Sequence, residues 1–256
     1  MPYTPAHAII SLPISALSRG KIPLASLIIG SMSPDLPYLL ALKTTYAPGH
    51  SLLGVLIYCL LPSIFVVFLW YHWLEKPILE LFRLPHTPLT FDKTTCFSIV
   101  IGILVGAYSH VIWDASSHYN GVFVVDSHFW NKEIFSLPVY QLNQYGSGIL
   151  GSIALVIWYG RALTKNTHNA YHGHLILGLS IFMLSIICFM VLANLIHHSD
   201  STLDFLVRSS IGLISGSIIA ACLYAFVVKQ CKSQTALSAE YQTRNKTMKT
   251  QTKKGH

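Results

Sequence analysis

Five stretches of about 20 residues, each long enough to cross roughly 30 Å of hydrocarbon as a helix, succeed one another between Ser51 and Val228. They are Ser51 to Leu74, Cys96 to Ser117, Gly146 to Leu163, His174 to Leu195 and Val207 to Val228, with the few charges at their ends or on one face. In lipid a lone segment must satisfy its own backbone hydrogen bonds, which leaves the helix as its structure. A chain that is 52% hydrophobic and 11% charged lies outside the range of ordinary soluble domains. The expected fold is therefore all-α, a polytopic transmembrane helix bundle.

Two weaker apolar segments precede the five spans. Pro5 to Leu17 is too short to cross, and Ile22 to Leu42 is interrupted by Pro34, Asp35 and Pro37, so together they predict an N-terminal helical hairpin. Met1 to Ala6 carries no basic residue and His7 falls inside the apolar run, so a cleaved signal peptide is not expected. The five cysteines form no CxxC pair and read as packing residues. From Lys229 the chain turns polar and basic, which predicts one membrane domain over 1–230 and a disordered tail over 231–256. The basic excess reads as a topology signal with attraction to anionic headgroups. Without stacking aromatics in the tail, no nucleic-acid partner is expected.

Assigning alternate loops to two sides places fourteen of the 17 Lys and Arg residues on one side and only Lys43, Lys132 and Arg208 on the other. The positive-inside rule makes the rich side cytoplasmic, which predicts a multi-pass protein of a bacterial inner membrane with a cytoplasmic C-terminal tail. His7, Asp35, His50, His110, Asp114 and His118 then all fall at the outer ends of their segments, although they took no part in the assignment. Asp126, His128, Glu133, His197, His198, Asp200 and Asp204 join the same layer.

Within that layer the run from Ser109 to His118 places His110, Asp114 and His118 four residues apart. Each step of four drifts only about 40° around a helix, so His110 and Asp114 share a face and His118 follows a turn later. Imidazole and carboxylate at this spacing suit zinc or a similar divalent ion; a hydrogen-bonded pair at the interface is the plainer alternative. An ionisable residue in a membrane segment needs a partner. Pro34 and Pro37 hold Asp35 at a fixed corner, and His50 opens the next span in Pro48-Gly-His-Ser51, with Ser51 as its cap.

The sequence His7 with Pro13, Gly-Ser-Met-Ser-Pro-Asp-Leu-Pro-Tyr38, Gly-His-Ser51, His-x-x-Trp-Asp-x-x-x-His118 and Pro138-Val-Tyr-Gln-Leu-Asn-Gln-Tyr-Gly146 resembles the uncharacterised bacterial membrane family DUF4184. More remotely, the order of ligand types is similar to that of inner-membrane metal-dependent hydrolases and of the zinc-dependent phospholipase C and nuclease P1 group. That resemblance implies that Asp35, His50, His110 and Asp114 surround one metal, that His7 and Asp114 contribute to a second, and that His118 stands where a further ligand follows. The group also uses a later His-x3-Glu pair, which this sequence lacks, so one or two ions are expected rather than three, with zinc first; His128, or His197 with Asp200, are the substitutes to consider.

The function expected is a metal-dependent hydrolase acting on a phosphoester or lipid-linked substrate at the outer face, with Asp35 or Asp114 orienting or deprotonating water. Tyr140, Gln144 and Tyr145 precede the third-last span on that side and are candidate substrate contacts, although an aromatic-belt helix start is the plainer explanation. The alternatives are a scaffold with a structural metal site and a transporter; the latter predicts midplane polar residues and internal symmetry, neither of which is visible.

Overall fold

A computed structural model describes residues 4–86, 89–165, 175–199 and 201–254. It is helical almost throughout: α1 (Thr4–Leu17), α2 (Leu24–Ala41), α3 (Leu52–Leu81), α4 (Lys93–Ser117), the short α5 (His128–Asn131), α6 (Val139–Lys165), α7 (Leu175–Ile196) and α8 (Thr202–Lys254). Six of these are long and apolar enough to cross a membrane, because α2 reaches that length in spite of its prolines. The five expected spans are all present, each extended at one or both ends.

Local chemistry explains the boundaries. Ser51 caps α3 by accepting from the Gly54 N–H at 3.0 Å, and Asp92 caps α4 through the Thr95 N–H at 2.7 Å. Pro34 interrupts α2 with a 3-10 turn over Ser33–Asp35, and the helix ends at Leu42 in a left-handed conformation (φ 55°). The stretch from Gly121 to Val125 forms turns. The two-residue strands lie later, where β1 (Glu133–Ile134) pairs antiparallel with β2 (Leu137–Pro138).

Small residues decide how the helices approach. A methyl group at Gly30 of α2 would run into the backbone of Ile103 on α4, and one at Gly106 would run into the backbone at Leu27. Gly102 meets Ser26 in the same way. The two backbones are therefore nearly in contact, the close approach that small residues permit between membrane helices. Ser26, Ser31 and Ser33 donate their hydroxyls to carbonyls three residues back, so none is left unpaired in the interface. Gly212 and Gly216 bring α8 against α7 by the same device.

The far end of α3 packs on α8 through Leu74, Ile78, Leu81, Tyr224 and Val228. Near the other end Leu39 joins Ile211 and Ile214, and Ser215 donates to the Leu39 carbonyl at 2.8 Å. α7 and α8 pack antiparallel, whereas α6 lies on α1, with Gly151 against Ala6, and on α4, where Trp113 Nε1 donates to Ser147 Oγ at 3.0 Å.

The tail departs from its expectation. Disorder was predicted from residue 231, and α8 instead continues to Lys254. No Gly or Pro falls between Ser217 and Lys254, and Ala, Leu, Glu, Gln, Lys, Arg and Met are good helix formers, so a helix already nucleated in the bundle has nothing to stop it.

Candidate metal centre

Four segments deliver side chains to one place. α1 brings His7, the proline turn of α2 brings Asp35, the turn before α3 brings His50, and α4 brings His110 and Asp114 from successive turns of one face. His7, Asp35 and His110 are almost wholly buried, whereas Asp114 and His50 keep side-chain exposures of 12% and 23%. The site is thus walled on most sides and open on one.

Asp114 is the hinge of the arrangement. Its Oδ2 lies 3.3 Å from His110 Nε2 and 3.4 Å from His50 Nε2, and these two nitrogens in turn lie 3.6 and 3.2 Å from Asp35 Oδ1. Its Oδ1 faces the other way, 3.5 Å from His7 Nε2 and 3.6 Å from His118 Nδ1. The His7 ring stacks on His110 at 4.0 Å and meets the edge of Trp113. Thr4 Oγ1 donates to Asp35 Oδ2 at 2.6 Å, and this leaves Oδ1 for the cluster.

The proton positions follow from the neighbours. His110 Nδ1 lies 2.7 Å from the Ser31 carbonyl, which only accepts, so Nδ1 carries the hydrogen and Nε2 presents a lone pair to two carboxylates. His50 is arranged alike, with Nδ1 toward the Ala47 carbonyl at 3.4 Å. Both ring nitrogens of His7, His110 Nε2, Asp35 Oδ1 and Asp114 Oδ1 are buried without a hydrogen-bond partner. Acceptors facing acceptors in a buried pocket call for a cation between them.

A divalent ion fits that demand. Bonds of about 2.0–2.1 Å imply ligand-to-ligand separations of about 3.3 Å, and the four imidazole–carboxylate pairs named above, between His50 or His110 Nε2 and Asp35 Oδ1 or Asp114 Oδ2, stand at 3.2 to 3.6 Å. Two triads, His7 with His110 and Asp114, and Asp35 with His50 and His110, each hold their ligand atoms within 4.8 Å. In the ion-free chain a proton on His50 partly fills the role. Burial opposes that charge, but the Asp114 and Asp35 carboxylates outweigh it and raise the His50 pKa to about 9. For His7 burial dominates, with His110 adding to it, and the pKa falls to about 3.

This sets a pH dependence. An ion entering at neutral pH would have to displace protons that the carboxylates hold on the imidazoles, that on His50 among them, so its affinity should rise with pH up to about 9. Because the folded pKa lies above the ordinary 6.5, the proton's contribution to stability is complete below 6.5 and is lost as pH rises through about 9. The melting temperature of ion-free protein should therefore fall as pH rises from about 6.5 to about 9, while that of loaded protein holds. Calorimetric titration in buffers of different ionisation enthalpy reads the proton directly; a heat independent of buffer would refute the displacement.

The remaining expected residues fall into place unevenly. His118 lies outside both triads: its Nδ1 is 3.2 Å from the Asp114 carbonyl and its Nε2 is 3.4 Å from the Gln144 amide nitrogen. Burial, the largest influence, lowers its pKa. Gln144 is therefore at the edge of the cluster, while Tyr145 is largely exposed and Tyr140 is half-buried, its hydroxyl accepting from Gln141. His197 Nε2 bonds the Ala41 carbonyl at 2.9 Å, and neither it nor His128 joins a ligand group among the described residues. Asp200 lies outside the described residues. Neither Thr4, which bonds Asp35, nor Trp113, whose edge meets the His7 ring, was among the expected site residues.

The family model described as "Domain of unknown function (DUF4184)" matches residues 1–228, which includes every residue of the cluster. The chain belongs to the DUF4184 family. No curated protein and no solved structure matches it, so the more remote likeness to hydrolases has no counterpart in these comparisons.

Proposed function

We propose that this DUF4184 protein is a membrane-embedded, metal-dependent hydrolase of phosphoesters. The observation that carries the reading is the two-sided use of Asp114, whose oxygens face separate sets of imidazoles and so suit one or two divalent ions, zinc first by donor type. His7, Asp35, His50, His110 and Asp114 are the holders, with His118 behind them. A bound ion would acidify water and neutralise phosphate charge.

The chain's own groups do the rest. Asp114, the more exposed carboxylate, takes a proton from the attacking water as its oxygen adds to phosphorus. The bond from phosphorus to the ester oxygen breaks, and the leaving oxygen is protonated by solvent. Asp35 stays in place, anchored by Thr4.

The partial exposure of Asp114 and His50 supports this reading over a scaffold held by a structural ion, since structural sites are closed whereas catalytic ones keep a position for water. The test is hydrolysis of a phosphoester panel by zinc-loaded, detergent-purified protein beside His110→Ala. Turnover that is lost in the variant supports the reading. Bound zinc with no turnover across mono- and diesters would transfer the assignment to the scaffold.

We also infer that the site faces away from the cytoplasm in a bacterial inner membrane. Lys76, Arg83, Lys93, Arg161, Lys229 and Lys232 cluster at helix ends remote from His110, as the charge rule requires of a cytoplasmic side. A green fluorescent protein fused after His256 should fluoresce. A dark fusion alongside an active alkaline phosphatase fusion would reverse the orientation.

A further inference from the structure

Beside the cluster, a groove of about 590 Å³ runs between α6 and α8, and its lining is almost wholly apolar. Both helices leave the site end in the same direction, so the groove descends from the cluster along the membrane-crossing axis. From Leu206 to Ile214 the rise is about 12 Å, and Ile149 and Ile153 face that stretch from α6. Ile211 and Ile214 form a buried floor, whereas Ile149, Ile153 and Leu206 are 50% or more exposed. Two serines also line it, but Ser152 donates to the Gly148 carbonyl and Ser210 to the Leu206 carbonyl, so neither offers an unpaired hydroxyl.

Of the polar residues in its lining, Thr4 and Gln144 are tied to the cluster. Thr4 is bonded to Asp35, and Gln144 lies against His118. An apolar channel flanked by two candidate spans is bathed by lipid tails, and its upper end adjoins the carboxylates and imidazoles. We propose that the substrate is a phospholipid-type amphiphile that enters sideways from the bilayer, with one acyl chain in the α6–α8 groove and its phosphate at the His/Asp cluster. This rests on the phosphoester reading and names its substrate class. Gln144 then serves as a contact at the junction of head and tail, which accounts for its burial in a stretch whose neighbour Tyr145 is exposed.

The test reads binding, not turnover. Zinc-loaded protein in lipid nanodiscs is illuminated with a diacyl phosphonate lipid bearing a diazirine in one acyl chain, beside a diacylglycerol with the same chain. Adducts are mapped by peptide mass spectrometry. The expected result is labelling of 149–153 and 206–214 by the phosphonate about tenfold above the exposed face of α7, a difference of roughly 1.4 kcal/mol, with much less from the diacylglycerol. Ile149→Trp/Ile153→Trp should abolish it while zinc content is unchanged. Labelling spread evenly over α6, α7 and α8, equal for both probes, or untouched in the double variant overturns the proposal. Groove labelling without hydrolysis would sink the enzyme reading alone, and hydrolysis of water-soluble esters without groove labelling would sink the groove alone.

Discussion

Asp114→Asn should leave the protein folded and empty. Wild-type protein purified without chelator is expected to carry one or two equivalents of a divalent ion, and the variant close to none, because the carboxylate that faces both sets of imidazoles is gone. An amide offers one weakly basic oxygen where two anionic ones stood. Hydrolytic activity should fall by about a thousandfold or more, since ion and base are lost together. Glu80→Gln is the control, as Glu80 pairs with Lys232 at the opposite end of the bundle; its metal content should equal wild type. Elemental analysis decides the matter, and an Asp114→Asn protein that kept its full complement would remove the basis for the site.

Gly30→Val should do comparable damage without touching a ligand. The new side chain meets the Ile103 backbone, which cannot rotate away, so α2 and α4 must separate. Overpacking of this kind costs about 1–3 kcal/mol. The functional cost should be larger, because α2 carries Asp35 five residues beyond Gly30 and α4 carries His110 and Asp114. A shift of about 1 Å spoils ligand geometry that must hold to about 0.2 Å. Metal content and melting temperature should fall together. Gly160→Ala on α6, where an added methyl meets nothing within 4 Å, should be neutral or slightly stabilising through helix propensity. Equal behaviour of the two variants would mean that the α2–α4 contact does not position the site.

Much of this was legible from the chain alone, for identifiable reasons. Apolar length is a direct consequence of bilayer thickness, so the spans stood out without any structure. The spacing of four put His110 and Asp114 together because a helix imposes that neighbourhood. Asp35 and His50 were placed by depth once topology was assigned. What escaped depends on contacts that no period encodes. Thr4 reaches Asp35 across 31 residues through side-chain geometry, and the packing of α6 on α1 depends on a small residue, Gly151, meeting Ala6. The glycines Gly102 and Gly106, four apart and facing Ser26 and Leu27 of α2, were a readable signal for the helix contact that builds the site. Judging the tail by its charge overlooked its lack of helix breakers.

All the candidate ligands come from the first 118 residues, and the helices that carry them pack on one another through Gly30, Gly102 and Gly106. Chains emerge from the ribosome at about 5–20 residues per second, and N-terminal parts settle first. That leaves several seconds in which the cluster could assemble before the α7–α8 pair is synthesised. An ion captured then would act as a folding staple for the nascent half, and zinc starvation would show itself as failed biogenesis ahead of any lost turnover.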